Sequence, residues 1–180
     1  MSKRVLIGGI GNVLLGDDAV GPYVVRLLES QYSFPDNVEI ADLGTPALDL
    51  THRIAGLYAL ILVDCVSSDE HPPGTLLLYR KDDILRARRT QRLDPHSPAL
   101  SECLMSADMQ GESPEHVLLV GVVGESFEPG RPLSKVVGKA ATGVVGVIPS
   151  ELDRLGVPAH KLQSSITPRI WWKPIIEVTP

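Results

Sequence analysis

The segment YALILVDCV, Tyr58 to Val66, constrains the fold more than any other. It is apolar at odd and even positions alike, so as a strand it must be covered on both faces and lie centrally in a sheet. HVLLVGVVG (His116 to Gly124) has the same character, and KRVLIGGI (Lys3 to Ile10) is a shorter apolar strand, β-branched at its start. VEIADLG (Val38 to Gly44) and GTLLLYR (Gly74 to Arg80) add two more. Helical spacing falls between them. AVGPYVVRLLESQY (Ala19 to Tyr32) sets Val20, Val24, Leu27 and Leu28 on one face, with Asp17 or Asp18 as its expected cap. PALDLTHRIAG (Pro46 to Gly56) has proline near its start and glycine at its end. HSPALSECLMSADM (His96 to Met109) carries Leu100, Leu104 and Ala107 on one side. PLSKVVGKAATGVVG (Pro132 to Gly146) follows, and Pro149 is expected to break that helix or to start the next piece, Ser150 to Leu155. Strands alternating with helices predict an α/β fold: a three-layer sandwich, a mostly parallel twisted sheet with helices on both faces.

With 180 residues, the chain is read as one α/β domain over 1–156, followed by an extension over 157–180. The extension is rich in proline and carries the adjacent Trp171 and Trp172; the residues leave open whether it packs on the body or waits for a partner. A net charge of −5 argues against a nucleic-acid partner. RARRTQR (Arg86 to Arg92) is the basic exception, read as a solvated helix end or loop, with a docking patch for an acidic partner as the sharper alternative. Cys65 and Cys103 form no CxxC pair and suit a reducing compartment. No charged-then-apolar leader and no run long enough to span a bilayer are seen, so a cytoplasmic protein without membrane attachment is expected.

The glycine loop after the first strand, GGIGNVLLGDDAVG, invites comparison with a dinucleotide fingerprint and fails it. Read from Gly9, the sixth place holds Leu14 where close strand–helix packing needs glycine or alanine; read from Gly8, the third place is wrong. Two carboxylates, Asp17 and Asp18, stand where a pyrophosphate would rest on the helix N-terminus. No GxxxxGK[ST] run exists either.

In a parallel α/β sheet, functional groups gather beyond the carboxyl ends of the strands. Asp17 and Asp18 follow the first strand, Asp42 ends the second, and Asp64 closes the apolar strand. Neighbouring carboxylates repel unless one is protonated or a cation lies between them. LDPHSP adds His96 in a loop between Pro95 and Pro98. Two oxygens and one imidazole leave open coordination positions, the pattern of a catalytic site for a borderline divalent metal such as zinc or nickel. Plainer readings stand beside each: a helix cap for one of Asp17 and Asp18, a turn at Asp64, an Asx turn or a substrate contact at Asp42, an ordinary loop histidine at His96. His52, His71, His116 and His160 have no supporting context. From the residues, the reading ends at a carboxylate-lined edge with a candidate metal. No GxSxG elbow is present, and Cys65 should face away from Asp64 because strand side chains alternate.

GIGNVLLGDDAVG and its amphipathic helix, ADLGT, LILVDCV ahead of PPGTLLLY, PHSPALSECL, and GESPEHVLLVGVVGESFEPGRPLS keep one order and spacing from about residue 4 to residue 140. This ordered set resembles the nickel–iron hydrogenase maturation endopeptidases. Leu43 stands where that family commonly has glycine, and Ser97-Pro98 follow His96 in place of a glycine-containing segment. The resemblance implies a cytoplasmic, aspartate- and metal-dependent protease that removes a C-terminal extension from the hydrogenase large-subunit precursor after nickel insertion. It places the metal ligands at Asp18, Asp64 and His96; Asp18 or Asp64 is then expected to position or deprotonate the attacking water, and Asp42 stays a candidate substrate contact from the residue reading. The nickel is expected to be supplied by the substrate; the alternative is a zinc ion of the protein's own. A non-cleaving, chaperone-like module that recognises loaded large subunit is the competing function, and hydrolysis of a different peptide on the same scaffold is another.

Overall fold

The structure, a computed structural model, describes residues 3–45, 49–87, 97–164 and 168. Its elements in chain order are β1 (Val5–Ile10), a 3-10 turn (Gly16–Ala19), α1 (Val20–Gln31), β2 (Tyr32–Ser33), β3 (Val38–Gly44), α2 (Asp49–Ile54) and β4 (Ala59–Val66). They continue with β5 (Leu76–Arg80), α3 (Lys81–Ala87), α4 (Ser97–Met109), β6 (His116–Val123), α5 (Lys135–Leu155) and β7 (His160–Lys161). The main sheet has the order β3-β1-β4-β6-β5, so the doubly apolar strand β4 is central. β3, β1, β4 and β6 run parallel, and β5 closes one edge antiparallel to β6. The carboxyl ends of four strands therefore share one edge. The fold is the α/β sandwich that the alternation predicts.

Alternation along β4 divides the core. Ile61, Val63 and Cys65 point into the layer that α1 and α5 cover, with Val24, Leu28, Val144 and Ile148. Leu60 and Leu62 point the other way, to Ile54, Ile84 and Leu104 from α2, α3 and α4. Every residue of β4 is buried, which explains why it carries no polar alternation before Asp64. Among the described residues, no helix is long and apolar enough to cross a membrane.

One sequence expectation is overturned in α5. The helix runs unbroken from Lys135 to Leu155 with Pro149 inside it. Proline there removes a backbone donor and crowds the carbonyl four residues earlier. The helix survives because Val144, Val145, Ile148, Leu152 and Leu155 are buried on both sides of the proline. Ser134 caps its start, accepting the Val137 N–H at 3.3 Å, and Gly156 ends it in the left-handed conformation at φ 71°. Beyond Gly156 the chain returns to the body. β7 pairs antiparallel with β2, and the Leu162 N–H bonds the Gln31 carbonyl at 2.8 Å. Trp171 and Trp172 lie outside the described residues, as do residues 88–92 of the basic cluster; Arg86 is in the last turn of α3.

α5 is tied to the edge strand by a buried acid. The carboxylate of Glu151 accepts Arg80 from β5 (3.0 Å to Oε2) and Arg154 from its own helix (2.7 and 3.0 Å). Burial pushes this carboxyl's pKa up, but the hydrogen bonds and charges of the two guanidinium groups together outweigh it and hold the group at about 2, below its ordinary 4.5. A depressed acid stabilises the fold above its unfolded pKa and loses that contribution as pH falls through the folded value. With both arginines about half exposed, we expect Glu151→Gln to cost roughly 1–2 kcal/mol at neutral pH. The difference from the parent should shrink as the pH falls from 4.5 to about 2. Urea denaturation at several pH values checks both.

Candidate active site

The loop after β1 is shaped by backbone contacts that exclude side chains. A Cβ on Gly11 (φ 142°) would lie 1.8 Å from the Asp18 carbonyl oxygen, so the chain turns directly beneath Asp18. A Cβ on Gly21 would lie 2.2 Å from the Ile10 oxygen and 2.5 Å from the Val63 oxygen. The first turn of α1 is thus pressed onto the ends of both β1 and β4, and the residue after Val63 is Asp64. Asp18 and Asp64 accordingly flank the carboxyl end of β1, two acids separated by 46 positions in sequence. Both are buried, at 4% and 6% exposure.

The amides of this loop are engaged within the protein. Gly11 donates to the Gly44 carbonyl (2.8 Å), Leu14 to the Asn12 side chain (3.0 Å) and Leu15 to the Asn12 carbonyl (3.0 Å). The Asn12 N–H goes to Asp18 Oδ2 at 2.7 Å, which orients that carboxylate. A phosphate cradle needs such amides free and convergent; here they fold the loop instead.

Neither acid caps α1. The residue before the helix is Ala19, and no side chain bonds the first turn. The chain enters α1 through the 3-10 turn, which sets Asp17 and Asp18 ahead of the helix, the Asp17 carboxylate on the loop between β6 and α5 and that of Asp18 on Asn12 of its own loop. Asp17 is fully buried, at 0% exposure. Its Oδ2 accepts the N–H of Glu125 (2.8 Å) and of Ser126 (3.0 Å), and its Oδ1 accepts that of Ser134 (2.6 Å). The sequence reading gave Asp17 no role beyond a candidate helix cap, since its donors lie more than 100 residues away.

Asp64 Oδ1 accepts the Cys65 N–H at 2.8 Å. By the strand alternation Asp64 emerges on the face of Leu60 and Leu62, opposite Cys65, as the sequence implied. That face is covered by α4, which begins at Ser97, the residue after His96. His96 itself lies outside the described residues, and among those described no three metal-type side chains gather. Asp42, at the end of β3, is exposed and accepts the Gly44 N–H at 2.9 Å, the Asx turn that was one of its two readings. His116 stacks edge-on against Tyr58 at the amino end of β6, away from the acids.

Two buried carboxylates at neighbouring strand ends of a parallel sheet define an α/β protein with an acidic site at its carboxyl edge. Residues 22–151 match the model of the HycI hydrogenase maturation proteases. The hydrogenase 2 maturation protease of Escherichia coli (strain K12) is 35% identical over 156 residues, 87% of this chain and 94% of that one. The hydrogenase maturating endopeptidase HybD from E. coli superposes with a TM-score of 0.81 at 35% identity, covering 88% of this chain and 97% of that one. A [NiFe] hydrogenase maturation protease HycI from Thermococcus kodakarensis shares the fold at 22% identity, with a TM-score of 0.68 and coverage of 84% and 93%. The chain belongs to the hydrogenase maturation protease family.

Proposed function

We propose that the protein is an endopeptidase that trims the C-terminal extension from a nickel-loaded hydrogenase large-subunit precursor, with Asp18 and Asp64 as its catalytic acids. The observation that carries this reading is the burial of both Asp18 and Asp64 at the carboxyl edge of the sheet, with Asp64 on the face covered by α4, the helix that follows His96. Leu14 and Phe127, 67% and 42% exposed, flank the same edge on loops joined by the Leu14 carbonyl and the Gly130 N–H (2.9 Å). Exposed apolar side chains beside an acidic site suit a polypeptide client.

In this reading Asp18, Asp64 and His96 hold the nickel that the client already carries, so cleavage reports whether the client is loaded. The nickel, when bound, fixes the client's C-terminal region in register. One carboxylate takes a proton from the attacking water as its oxygen bonds to the scissile carbonyl carbon. That proton passes to the leaving nitrogen as the C–N bond breaks. Such general-base assistance contributes about 10²–10⁴-fold. Burial of the acids limits competing water and keeps the carboxylate oriented by its amide donors.

Mixing the protein with nickel-loaded precursor and following mass at the precursor's C-terminus tests the function. Loss of a C-terminal peptide is expected from loaded precursor and none from nickel-free precursor. Stable association without mass loss would instead make the protein a non-cleaving recognition module. Protein purified from cells lacking the hydrogenase should contain no stoichiometric metal. Tightly bound zinc that cleavage requires would overturn the client-supplied nickel and assign a metal to the protein itself.

A further inference from the structure

We propose that Asp17 is a positioning residue that holds Asp18 in its working orientation by locking the Asp18 loop to the loop between β6 and α5. The inference rests on the reading of Asp18 as a catalytic acid. Three backbone N–H groups converge on Asp17, from Glu125, Ser126 and Ser134. Ser126 is gripped twice, since its carbonyl also accepts the Asp17 N–H at 2.8 Å. Gly16 (φ 50°) makes that approach: a Cβ there would lie 2.5 Å from the Ser126 oxygen. Asp18 follows at once, its N–H on the Leu15 carbonyl (3.0 Å) and its Oδ2 on the Asn12 N–H (2.7 Å). The Asp18 carboxylate is therefore held from the Asn12 side directly and from the β6–α5 side through Asp17.

Only a carboxylate satisfies this arrangement. Asparagine offers one oxygen and one NH₂, so either way round its NH₂ faces an N–H donor, at Ser134 or at the Glu125–Ser126 pair. With no solvent at 0% exposure, the mismatch must be relieved by moving the loop. Because small misplacements of a catalytic group cost large factors in rate, that movement lowers turnover more than client binding.

The test is Asp17→Asn in the full chain, read by the Asn12 amide signal in proton–nitrogen spectra and by kcat and KM on nickel-loaded precursor. The Asn12 amide should shift and exchange faster, and kcat should fall about tenfold or more with KM changed less than about twofold. Glu151→Gln, destabilised elsewhere, should keep parental kcat. An unchanged Asn12 signal overturns the proposal whatever the cleavage result, as does a kcat loss that Glu151→Gln reproduces. A shifted Asn12 signal in a protein whose parent never cleaves the precursor overturns the catalytic reading and leaves the positioning intact. If Asp17→Asn does not fold, Gly16→Ala pushes the same two loops apart, because its Cβ would lie 2.5 Å from the Ser126 oxygen. An unchanged Asn12 signal there overturns the proposal equally.

Discussion

Asp64→Asn is expected to abolish trimming of the loaded precursor, by at least about 10²-fold, while the protein stays folded. The substitution changes charge and proton affinity but little else. Asparagine is nearly isosteric, and its oxygen can keep accepting the Cys65 N–H that Asp64 Oδ1 accepts at 2.8 Å. What it loses is a negative charge that can bind a cation and a base that can take a proton. The cooperative unfolding transition should therefore persist, and the mass of the precursor should not change. Asp18→Asn should behave alike, although its retained bond is to the Asn12 N–H. Cleavage at the parental rate by Asp64→Asn would remove this acid from the chemistry and with it the site assignment.

Gly21→Ala carries the largest expected effect on stability, about 3 kcal/mol of destabilisation or more. Helix propensity alone predicts the opposite sign, because alanine is favoured over glycine within a helix by about 1 kcal/mol. The deciding fact is that the added Cβ meets backbone, with the Ile10 oxygen at 2.2 Å, the Val63 oxygen at 2.5 Å and the Ile10 nitrogen at 2.6 Å. No rotamer change relieves those contacts; α1 must move off the sheet. Since Asp18 enters α1 and Asp64 follows Val63, the two acids should separate and cleavage should fall together with stability. Gly146→Ala, in α5 with nothing within 4 Å of the added atom, is the control and should stabilise by up to about 1 kcal/mol. Urea denaturation of the pair checks both signs; a Gly21→Ala protein as stable as its parent would refute the close approach.

The central place of β4 was legible because nine apolar-dominated positions without alternation have only one home, a strand covered on both faces. The bounds of β3 agree with the Val38–Gly44 reading for a related reason: its sequence ends in a turn-forming Asp-Leu-Gly. Pro149 misled because local chemistry says break, whereas burial of Ile148 and Leu152 on either side holds the helix together. The short β2–β7 pair was invisible, since Tyr32–Ser33 and His160–Lys161 carry no strand pattern and meet only because Gly156 turns the chain back.

The order of residues by itself determined the α/β class, the central strand and the gathering of acids at strand ends, because periodicity and strand polarity are local properties of the chain. What holds each member of the Asp17–Asp18 pair, the β6–α5 loop for Asp17 and the Asn12 N–H for Asp18, was decided only in three dimensions. The two carboxylates are chemically identical and adjacent, so local chemistry alone does not say what binds either of them. Their fates diverge through amides at 125, 126 and 134 that packing of β6 and α5 brings to one of them.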